Sequence, residues 1–349
     1  MEEKLIAGKN LEMEYYLSEI RKFLIQEKFE EAVRCLESTR LRYPDYEKRE
    51  NGYLIDFAQG QALFRKYTAQ GKFPAGGIDK IISLFSKSSS LKEDFSDTHF
   101  LMHFAYMKKF GEDKSVEQKE DSRKKAIYHS VRAKKLNSDL TEECNKSLEC
   151  LIDIELLLCN PHEEIVQYWK KEFNSYPKVK VISGDILKQN CDAIVSPANS
   201  FGFMDGGLDF NLSEYFGWNL EKKLQKDIRE KYGGELNVGQ AIIIETKNKK
   251  IPYLISSPTM RVPVELPEES INAYLAARAV FLAIENYNKI NKKISKVAMP
   301  MMCSGVGRMK PKISARQIRI AYDDIVLKQF LFPKEIGEAQ DRNYELYKN

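Results

Sequence analysis

The spacing of apolar residues changes near residue 176, and this change most restricts the folds open to the chain. Over residues 13–168 apolar side chains recur every three or four positions, as in amphipathic helices, and glycine and proline are confined to a few interruptions. Beyond Tyr176 short β-branched runs alternate with helical segments. The sequence therefore predicts two domains, an all-α domain over 1–176 and an α/β domain over 177–349.

The first domain contains segments typical of helical hairpins. Residues 23–44 have the pattern of a helix end, a turn and a second helix closed by proline, and 60–67 and 126–137 are similar. They resemble tetratricopeptide-type hairpins with a degenerate period. Because an isolated hairpin cannot bury its apolar face, such units stack into a surface that binds a peptide or a second subunit. A plain helical bundle supporting the other domain is the alternative.

The second domain has the pattern of a sheet covered on both faces. The predicted strands are 179–183, 192–195, 240–245, 251–256 and 296–302, and the predicted helices are 211–231, 268–288 and 314–327. The alternation indicates a three-layer α/β/α fold with a mixed sheet. Ligands of such folds bind in loops beyond the carboxyl ends of the strands.

Composition narrows the class of protein. With 349 residues, 43% apolar and 30% charged, the chain can bury two ordinary cores, which excludes disordered and fibrous classes. Residues 1–176 carry 29 basic and 31 acidic side chains, whereas 177–349 carry 26 and 20, a net charge of +6. That net positive charge suits an anionic ligand, although an ordinary solvated surface could carry the same net charge.

Targeting signals and cysteine usage point to the cytoplasm. Apolar runs stay well short of the roughly 20 residues that a membrane helix needs, and the first ten residues lack the apolar core of a signal peptide. The six cysteines include no CxxC pair, so we expect reduced thiols, with neither disulfides nor a zinc ribbon. We expect no membrane partner.

Three strand-to-loop junctions of the second domain carry unusual chemistry. The first junction is Gly184-Asp185-Ile186 at the end of a strand. The second is a loop of small residues over 196–209 that leads into a helix, and the third is a glycine loop over 303–308 that follows another strand. Glycine loops expose backbone N–H groups and permit the close approach that a diphosphate requires. Two such loops on one sheet indicate a diphosphate site more strongly than either alone.

Residues 178–330 resemble a macro domain, the fold that binds ADP-ribose. The family's Gly-Asp-Ile is present at 184–186. Its N-A-A-N loop appears as Ser-Pro-Ala-Asn at 196–199, followed by Gly-Gly-Leu-Asp at 206–209, and its S-T-G-V-Y-G loop appears as Cys-Ser-Gly-Val-Gly-Arg at 303–308. Residues 258–263 also resemble a subgroup of bacterial and phage macro domains.

The resemblance implies a role for each matching residue. Asp185, with Gly184 and Ile186 beside it, would accept a hydrogen bond from the adenine amine, whereas a cap of the following turn is its alternative role. Asn199, next to Ala198, would bond the hydroxyls of the distal ribose through its amide. The diphosphate would be wrapped by backbone N–H groups of Gly206, Gly207, Leu208, Ser304, Gly305, Val306 and Gly307, with Arg308 as a candidate phosphate clamp.

Asp209 opens the helix that follows the first loop. It would act either as a first-turn carboxylate favoured by the helix dipole or as a group that positions water near the anomeric carbon. Together with Asn199 it would form the catalytic pair of a hydrolase, in which rate comes from geometry rather than from a strong base.

Departures from the family pattern fall at the distal-ribose end. Ser196 replaces the first asparagine, Met204 and Asp205 replace two glycines, and Gly307 stands where an aromatic is usual. We expect Asp205 to repel a diphosphate unless Arg261 or Arg308 compensates for its charge.

The second domain has no histidine. All four, His99, His103, His129 and His162, lie in the helical domain, which excludes a Ser–His or Cys–His nucleophile at the loops. His99 and His103 are four residues apart and could share a metal, but no zincin glutamate accompanies them, so we predict no metal site. Cys303 has the features of a small buried residue rather than a nucleophile.

Three hypotheses follow. The first is recognition of ADP-ribose or a related NAD-derived nucleotide, free or attached to a macromolecule, with no further cofactor and with a protein partner at the helical domain. The second is an ADP-ribosyl hydrolase, and the third is a helical scaffold with a vestigial pocket. We do not favour nucleic-acid binding, because the lysines are dispersed without an aromatic platform. Candidate aromatics for stacking on adenine are Phe332 and Tyr344.

Overall fold

The chain divides into two compact units, Met1–Leu151 and Ile152–Asn349. The computed structural model describes residues 2–291 and 294–348. The division lies before the predicted boundary at 176/177. No helix within the described ranges combines the length and apolar character needed to cross a bilayer.

The first unit is built from α-helices, as predicted. Each helix packs against the next one along the chain, which is the arrangement expected of helical hairpins. Their likeness to tetratricopeptide repeats stays a prediction. The helices are α1 (Glu2–Ile25), α2 (Phe29–Arg42), α3 (Tyr53–Ala69), α4 (Gly77–Leu91), α5 (Ser96–Glu112), α6 (Val116–Leu136) and α7 (Thr141–Leu148).

A hydrogen-bonded pair of buried imidazoles lies in the core of this unit. His99 Nδ1 and His129 Nδ1 are 2.9 Å apart, and His99 Nε2 lies 2.9 Å from the Glu93 carbonyl oxygen. Because a carbonyl only accepts, Nε2 of His99 carries its proton, and Nδ1 accepts the proton of His129. The ring nitrogens of His103 are bonded to the Ala126 carbonyl and the Ser147 hydroxyl. His99 and His103 therefore direct all their nitrogens at protein atoms.

Burial keeps these imidazoles neutral. It lowers the pKa of His103 to about 4, and burial together with the neighbouring His99 lowers the pKa of His129 to about 3. His103 and His129 therefore bind more protons in the unfolded chain than in the folded one between about pH 6.5 and pH 4. Their contribution to the stability of the helical unit should fall as the pH falls through that window.

We predict that His103→Gln flattens this dependence. The neutral amide has no proton to take up, so the loss of unfolding free energy between pH 7 and pH 4 should shrink by about 3 kcal/mol. Urea unfolding followed by circular dichroism at pH 7, 5 and 4 measures the unfolding free energy at each pH. His162→Gln, at an exposed position, is the control. Equal pH slopes for His103→Gln and the unsubstituted protein would contradict the assignment.

The second unit is a three-layer α/β/α fold, which confirms the predicted fold class. Its sheet has the order β2-β1-β6-β3-β5-β4, and every neighbouring pair is parallel except β4 and β5. The strands are β1 (Glu155–Asn160), β2 (Val179–Ser183), β3 (Ala193–Ser196), β4 (Ile242–Glu245), β5 (Tyr253–Ser256) and β6 (Lys296–Met299). The helices are α8 (Glu163–Glu172), α9 (Gly207–Phe216), α10 (Asn219–Lys231), α11 (Asn272–Asn291), α12 (Pro311–Ile325) and α13 (Ile336–Tyr347).

Both faces of the central strands are buried. Ile194 and Ala298 pack with leucines of α9 and α10 in one core cluster. Their neighbours Val195 and Met299 point to the opposite face and are also fully buried. Parallel sheets require this double cover, because the crossover helices lie on both faces.

Strand β1 corrects the prediction of continuous helix up to residue 168. Glu155–Asn160 pairs with both β2 and β6, and Leu156, Leu157 and Leu158 are all buried. A strand buried on both faces has a continuous apolar run rather than alternation, so its periodicity does not distinguish it from a helix. This pairing is the physical reason that the unit boundary lies before residue 155. The predicted helix over 211–231 is also corrected, because it is two helices separated at Gly217 and Trp218.

The carboxylate of Asp192 fixes the start of β6. Its Oδ2 accepts hydrogen bonds from the Ser295 backbone N–H at 2.8 Å, the Ser295 hydroxyl at 2.8 Å and the Lys296 N–H at 2.9 Å. The backbone of Asp192 also bonds to Lys296 and Tyr253, at the starts of β6 and β5. One residue before β3 thus aligns three adjacent strands.

Candidate functional site

The candidate site lies at the carboxyl edge of the parallel strands. Strands β3 and β6 are neighbours, so the segments that follow them, 197–208 and 300–309, leave the sheet side by side. We call these segments the first and the second glycine loop. Strand β2, which precedes Asp185, lies three strand spacings from β3, or roughly 14 Å. The structure therefore brings the two loops together and places Asp185 at the far end of the same edge.

The first glycine loop is organised around the side chain of Asn199. Its Oδ1 accepts from the Phe201 N–H at 3.1 Å and the Phe203 N–H at 3.2 Å, and its Nδ2 donates to the Phe203 carbonyl at 2.8 Å. Both lone pairs of Oδ1 are therefore used within the loop. Only the second N–H of the Asn199 amide stays available to a ligand. The resemblance implies both a donor and an acceptor, so the acceptor is missing. Ala198 is buried, and its carbonyl accepts from the Thr259 N–H.

The end of the first loop presents backbone donors at a helix N-terminus. The N-terminus of α9 has no side-chain cap, so the N–H groups of Gly207, Leu208 and Asp209 are free of intrahelical partners. Gly206 is exposed, and a Cβ added to it would meet no atom within 4 Å. An approaching anion would find donors and open space together.

The second glycine loop also combines free backbone N–H groups with open space. Gly305 and Val306 are exposed, and a Cβ at Gly305 would meet nothing within 4 Å. In the described chain the N–H groups of Ser304, Gly305 and Val306 donate to no backbone carbonyl. The loop is closed by bonds from the Arg308 N–H to the Gly305 carbonyl and from the Met309 N–H to the Cys303 carbonyl. Cys303 and Arg308 have left-handed backbone, with φ of 63° and 50°.

Gly307 stands at the base of this loop rather than at its rim. A Cβ here would lie 2.7 Å from the Cys303 carbonyl oxygen and 3.1 Å from side-chain carbons of Leu266 and Met260. Its own carbonyl accepts from the Leu266 N–H. The aromatic that is usual in the family therefore has no room at this position.

Asp185 caps the turn that follows β2. Its Oδ1 accepts from the Leu187 N–H at 2.9 Å at the start of a short 3-10 helix, and the residue is exposed. Oδ2 of the same carboxylate stays available to a ligand. Both roles predicted for Asp185 are therefore compatible. Gly184 bonds to the Asn160 carbonyl, and Ile186 is buried in the core beneath.

Asp209 is buried beneath the first loop. It is 7% exposed, and its Oδ1 accepts a hydrogen bond from the Ser196 hydroxyl at 2.5 Å. Burial, with a smaller contribution from the Glu221 charge, raises the pKa of Asp209 to about 6, although the Ser196 bond partly opposes that rise. The geometry matches a first-turn carboxylate, which was one of its two predicted roles. Ser196, which stands where the family usually has an asparagine, is the hydrogen-bond donor to this carboxylate.

Both arginines considered as charge partners of Asp205 are paired with other carboxylates. Arg261 donates to Glu235 through two nitrogens, at 2.9 and 2.6 Å, and lies over the Phe201 ring at 5.0 Å. Arg308 lies 3.3 Å from Glu265, with both side chains largely exposed. Asp205 is exposed and makes no ion pair with any residue of the described ranges. A diphosphate would thus depend on the backbone N–H groups.

The Cys303 thiol of the second glycine loop is buried and protonated. Cys303 is 4% exposed, and burial raises its pKa to about 12. A thiol that stays protonated is a poor nucleophile, so the structure agrees with the interpretation of Cys303 as a buried residue.

A cleft beside the second glycine loop contains residues that the sequence did not single out. Tyr344 of α13, a candidate for adenine stacking, lines it with Arg308, whereas Phe332 is 87% exposed and lies outside its lining. No motif distinguished the other lining residues, which are Glu265, Leu266, Pro267, Glu268, Glu269, Met309, Lys310, Ile313, Tyr347 and Lys348.

Comparison with known proteins identifies this half of the chain. The profile of the family described as Macro domain matches residues 195–318. A macro domain-containing protein of Caldanaerobacter subterraneus is 30% identical over 176 residues, which are 49% of this chain and 93% of that protein. The chain belongs to the macro domain family. A macro domain-containing protein of Listeria monocytogenes is 27% identical, over 40% of this chain and 74% of that protein.

Solved macrodomains have a partial likeness to this chain. The macrodomain of Mycobacterium tuberculosis DarG has 18% identity and a TM-score of 0.36, covering 42% of this chain and 90% of its own. A variant of the Oceanobacillus iheyensis macrodomain, solved with ADPR, has 20% identity and a TM-score of 0.35, covering 47% of this chain and 86% of its own. The same macrodomain has been solved with ADP.

We predict that Asp209→Asn changes the pH dependence of stability. Because the folded pKa of Asp209 lies above the unfolded one, its contribution is present below about pH 4 and lost as the pH rises through 6. The variant should gain about 3 kcal/mol relative to the unsubstituted protein between pH 4 and pH 8. Chemical unfolding at both pH values measures this, with exposed Asp205→Asn as control. A difference that does not vary with pH would contradict the burial of a carboxylate here.

Proposed function

We propose that the macro domain binds ADP-ribose or a related NAD-derived nucleotide, free or as an ADP-ribosyl modification, and that the helical unit offers a surface to a protein partner. The observation that carries this proposal is the pair of glycine loops on neighbouring strands β3 and β6, with unpartnered N–H groups and open space above Gly206 and Gly305. Backbone N–H groups in such concave loops are general ligands of phosphate oxygens.

The far end of the edge supports an adenine subsite. Asp185 uses one carboxylate oxygen to cap its turn, which fixes the second oxygen in place. A fixed carboxylate acceptor bonds to the adenine N6 amine and repels the carbonyl that guanine has at that position. The spacing of roughly 14 Å between β2 and β3 leaves room for ribose and diphosphate between this acceptor and the first loop.

Binding, rather than hydrolysis, is the function that the geometry supports best. Hydrolysis would need Asn199 and Asp209 to orient water, but the Asn199 amide holds its own loop and Asp209 is buried and bonded to Ser196. We therefore infer that Asn199 and Asp209 build the site and that the protein retains ADP-ribose without rapid turnover. Release of free ADP-ribose from a modified protein, abolished by Asp209→Ala, would favour the hydrolase instead.

Asp185→Asn should change base preference rather than simply weaken binding. Asparagine can keep the cap through its Oδ1, which turns its Nδ2 donor toward the base. Affinity for ADP-ribose should fall roughly tenfold or more, while GDP-ribose gains a partner for its carbonyl. Calorimetric titration of both nucleotides into both proteins measures this, with AMP and NAD for comparison. Binding of ADP-ribose that Asp185→Asn leaves unchanged would remove Asp185 from the site, and no binding of any adenine nucleotide would favour the helical scaffold.

Gly305→Val should block the diphosphate without unfolding the domain. The added side chain enters open space, so stability should change by less than about 0.5 kcal/mol, whereas ADP-ribose affinity should fall at least tenfold. The matched control is Gly111→Val in α5, where a Cβ also meets nothing within 4 Å. Thermal unfolding and calorimetry on the three proteins decide the outcome. Equal ADP-ribose affinity for Gly305→Val and the unsubstituted protein would contradict a phosphate site at this loop.

A further inference from the structure

Exposed aromatic and acidic side chains lie in the first glycine loop and along α9, which directly follows it. They include three large aromatics, with Phe203 54%, Phe210 43% and Trp218 40% exposed, and the exposed carboxylates Asp205 and Glu214. We call these five residues the aromatic-acidic face. Single exposed aromatics are common, but clustered ones with polar neighbours mark binding surfaces.

Two rings of this face, Phe210 and Trp218, contact each other. Phe210 and Glu214 are four residues apart on α9, which places them on one side of the helix, and Trp218 follows its C-cap Gly217. The Trp218 indole N–H donates to Glu214 Oε1 at 2.8 Å, and the Phe210 and Trp218 ring centroids are 5.8 Å apart at 70°. A fixed indole and a fixed phenyl ring lose little conformational entropy when a partner binds.

The charge of the face selects a cationic partner. Neither Asp205 nor Glu214 makes an ion pair within the part of the chain that the structure describes, and the sequence of α9 (Gly207–Phe216) contains no lysine or arginine. Guanidinium and ammonium groups bind to aromatic faces and to carboxylates. Phosphates would be repelled by the same carboxylates, which disfavours a nucleic-acid strand even though bases could stack on the rings.

The face begins where the distal ribose is expected. The backbone of Phe203 is bonded on both sides to the Asn199 amide, and Asp205 directly precedes Gly206. A polypeptide attached through the distal ribose would leave the pocket across Phe203 and Asp205.

We propose that the aromatic-acidic face binds an arginine- or lysine-rich polypeptide segment, so that the substrate class of the nucleotide site is ADP-ribose carried by a basic protein. This inference rests on the proposed function for its biological meaning, but the face and the nucleotide loops are separate surfaces with separate assays.

Trp218 reports binding to the face directly. The chain has two tryptophans, and Trp169 is fully buried, so a surface ligand changes the emission of Trp218. Titration of the full chain with a dodecapeptide of alternating glycine and arginine should change that emission and saturate. Phe210→Ala should weaken binding roughly fivefold and Glu214→Gln, which keeps an acceptor for the indole, roughly threefold. The matched controls, Tyr168→Ala and Glu164→Gln on α8, should have no effect.

Asp205→Asn separates this inference from the proposed function. Loss of its charge should weaken peptide binding roughly threefold and strengthen ADP-ribose binding by a similar factor, because the two ligands have opposite charge. Peptide binding without nucleotide binding would overturn the proposed function alone. A peptide affinity that is absent, or that the face variants leave unchanged, would overturn the inference, as would tighter binding of a dodecathymidine strand than of the basic peptide.

Discussion

Strand β6 lies between β1 and β3, and its register determines where the second glycine loop leaves the carboxyl edge of the sheet. The carboxylate of Asp192 receives three hydrogen bonds from the start of β6, and the Asp192 backbone bonds to the starts of β5 and β6. Alignment at one end of a parallel strand fixes the height at which the chain leaves the other end. The second glycine loop therefore emerges level with the first. A shift of one residue would turn Val297 and Met299 to the opposite face and separate the two rows of N–H donors.

The parts of the site that could be predicted from the sequence are those specified by local chain geometry. Strand-to-loop junctions at Gly184, Gly206 and Gly305 are visible in the sequence because glycine in a short segment after a β-branched run has a local meaning. Strand β1 was missed because burial on both faces removes the alternation that identifies a strand. The break between α9 and α10 has only Gly217 as a local signal.

Side-chain roles were harder to predict because they depend on partners distant in the chain. Arg261 donates hydrogen bonds to Glu235, and the Ser196 hydroxyl donates one to Asp209. No spacing rule links the members of either pair. Gly307 is a similar case, since the family's aromatic is excluded by the Cys303 carbonyl together with Leu266 and Met260, which are distant in the chain. The sequence identified positions that lie at the carboxyl edge of the sheet without revealing which of their atoms already bond to other residues.

Left-handed backbone at Cys303 and Arg308 has a consequence for how the second loop meets a ligand. Holding a side chain other than glycine in that region costs about 1–2 kcal/mol for each residue, and the surrounding fold sustains both. The closing bonds to the Cys303 and Gly305 carbonyls hold the loop in this shape. The backbone N–H donors of the loop are thus preorganised, so a phosphate group that binds them would not have to offset the conformational entropy of ordering the loop. Association should then involve little rearrangement of the loop, so that the rate is set by encounter rather than by a conformational step.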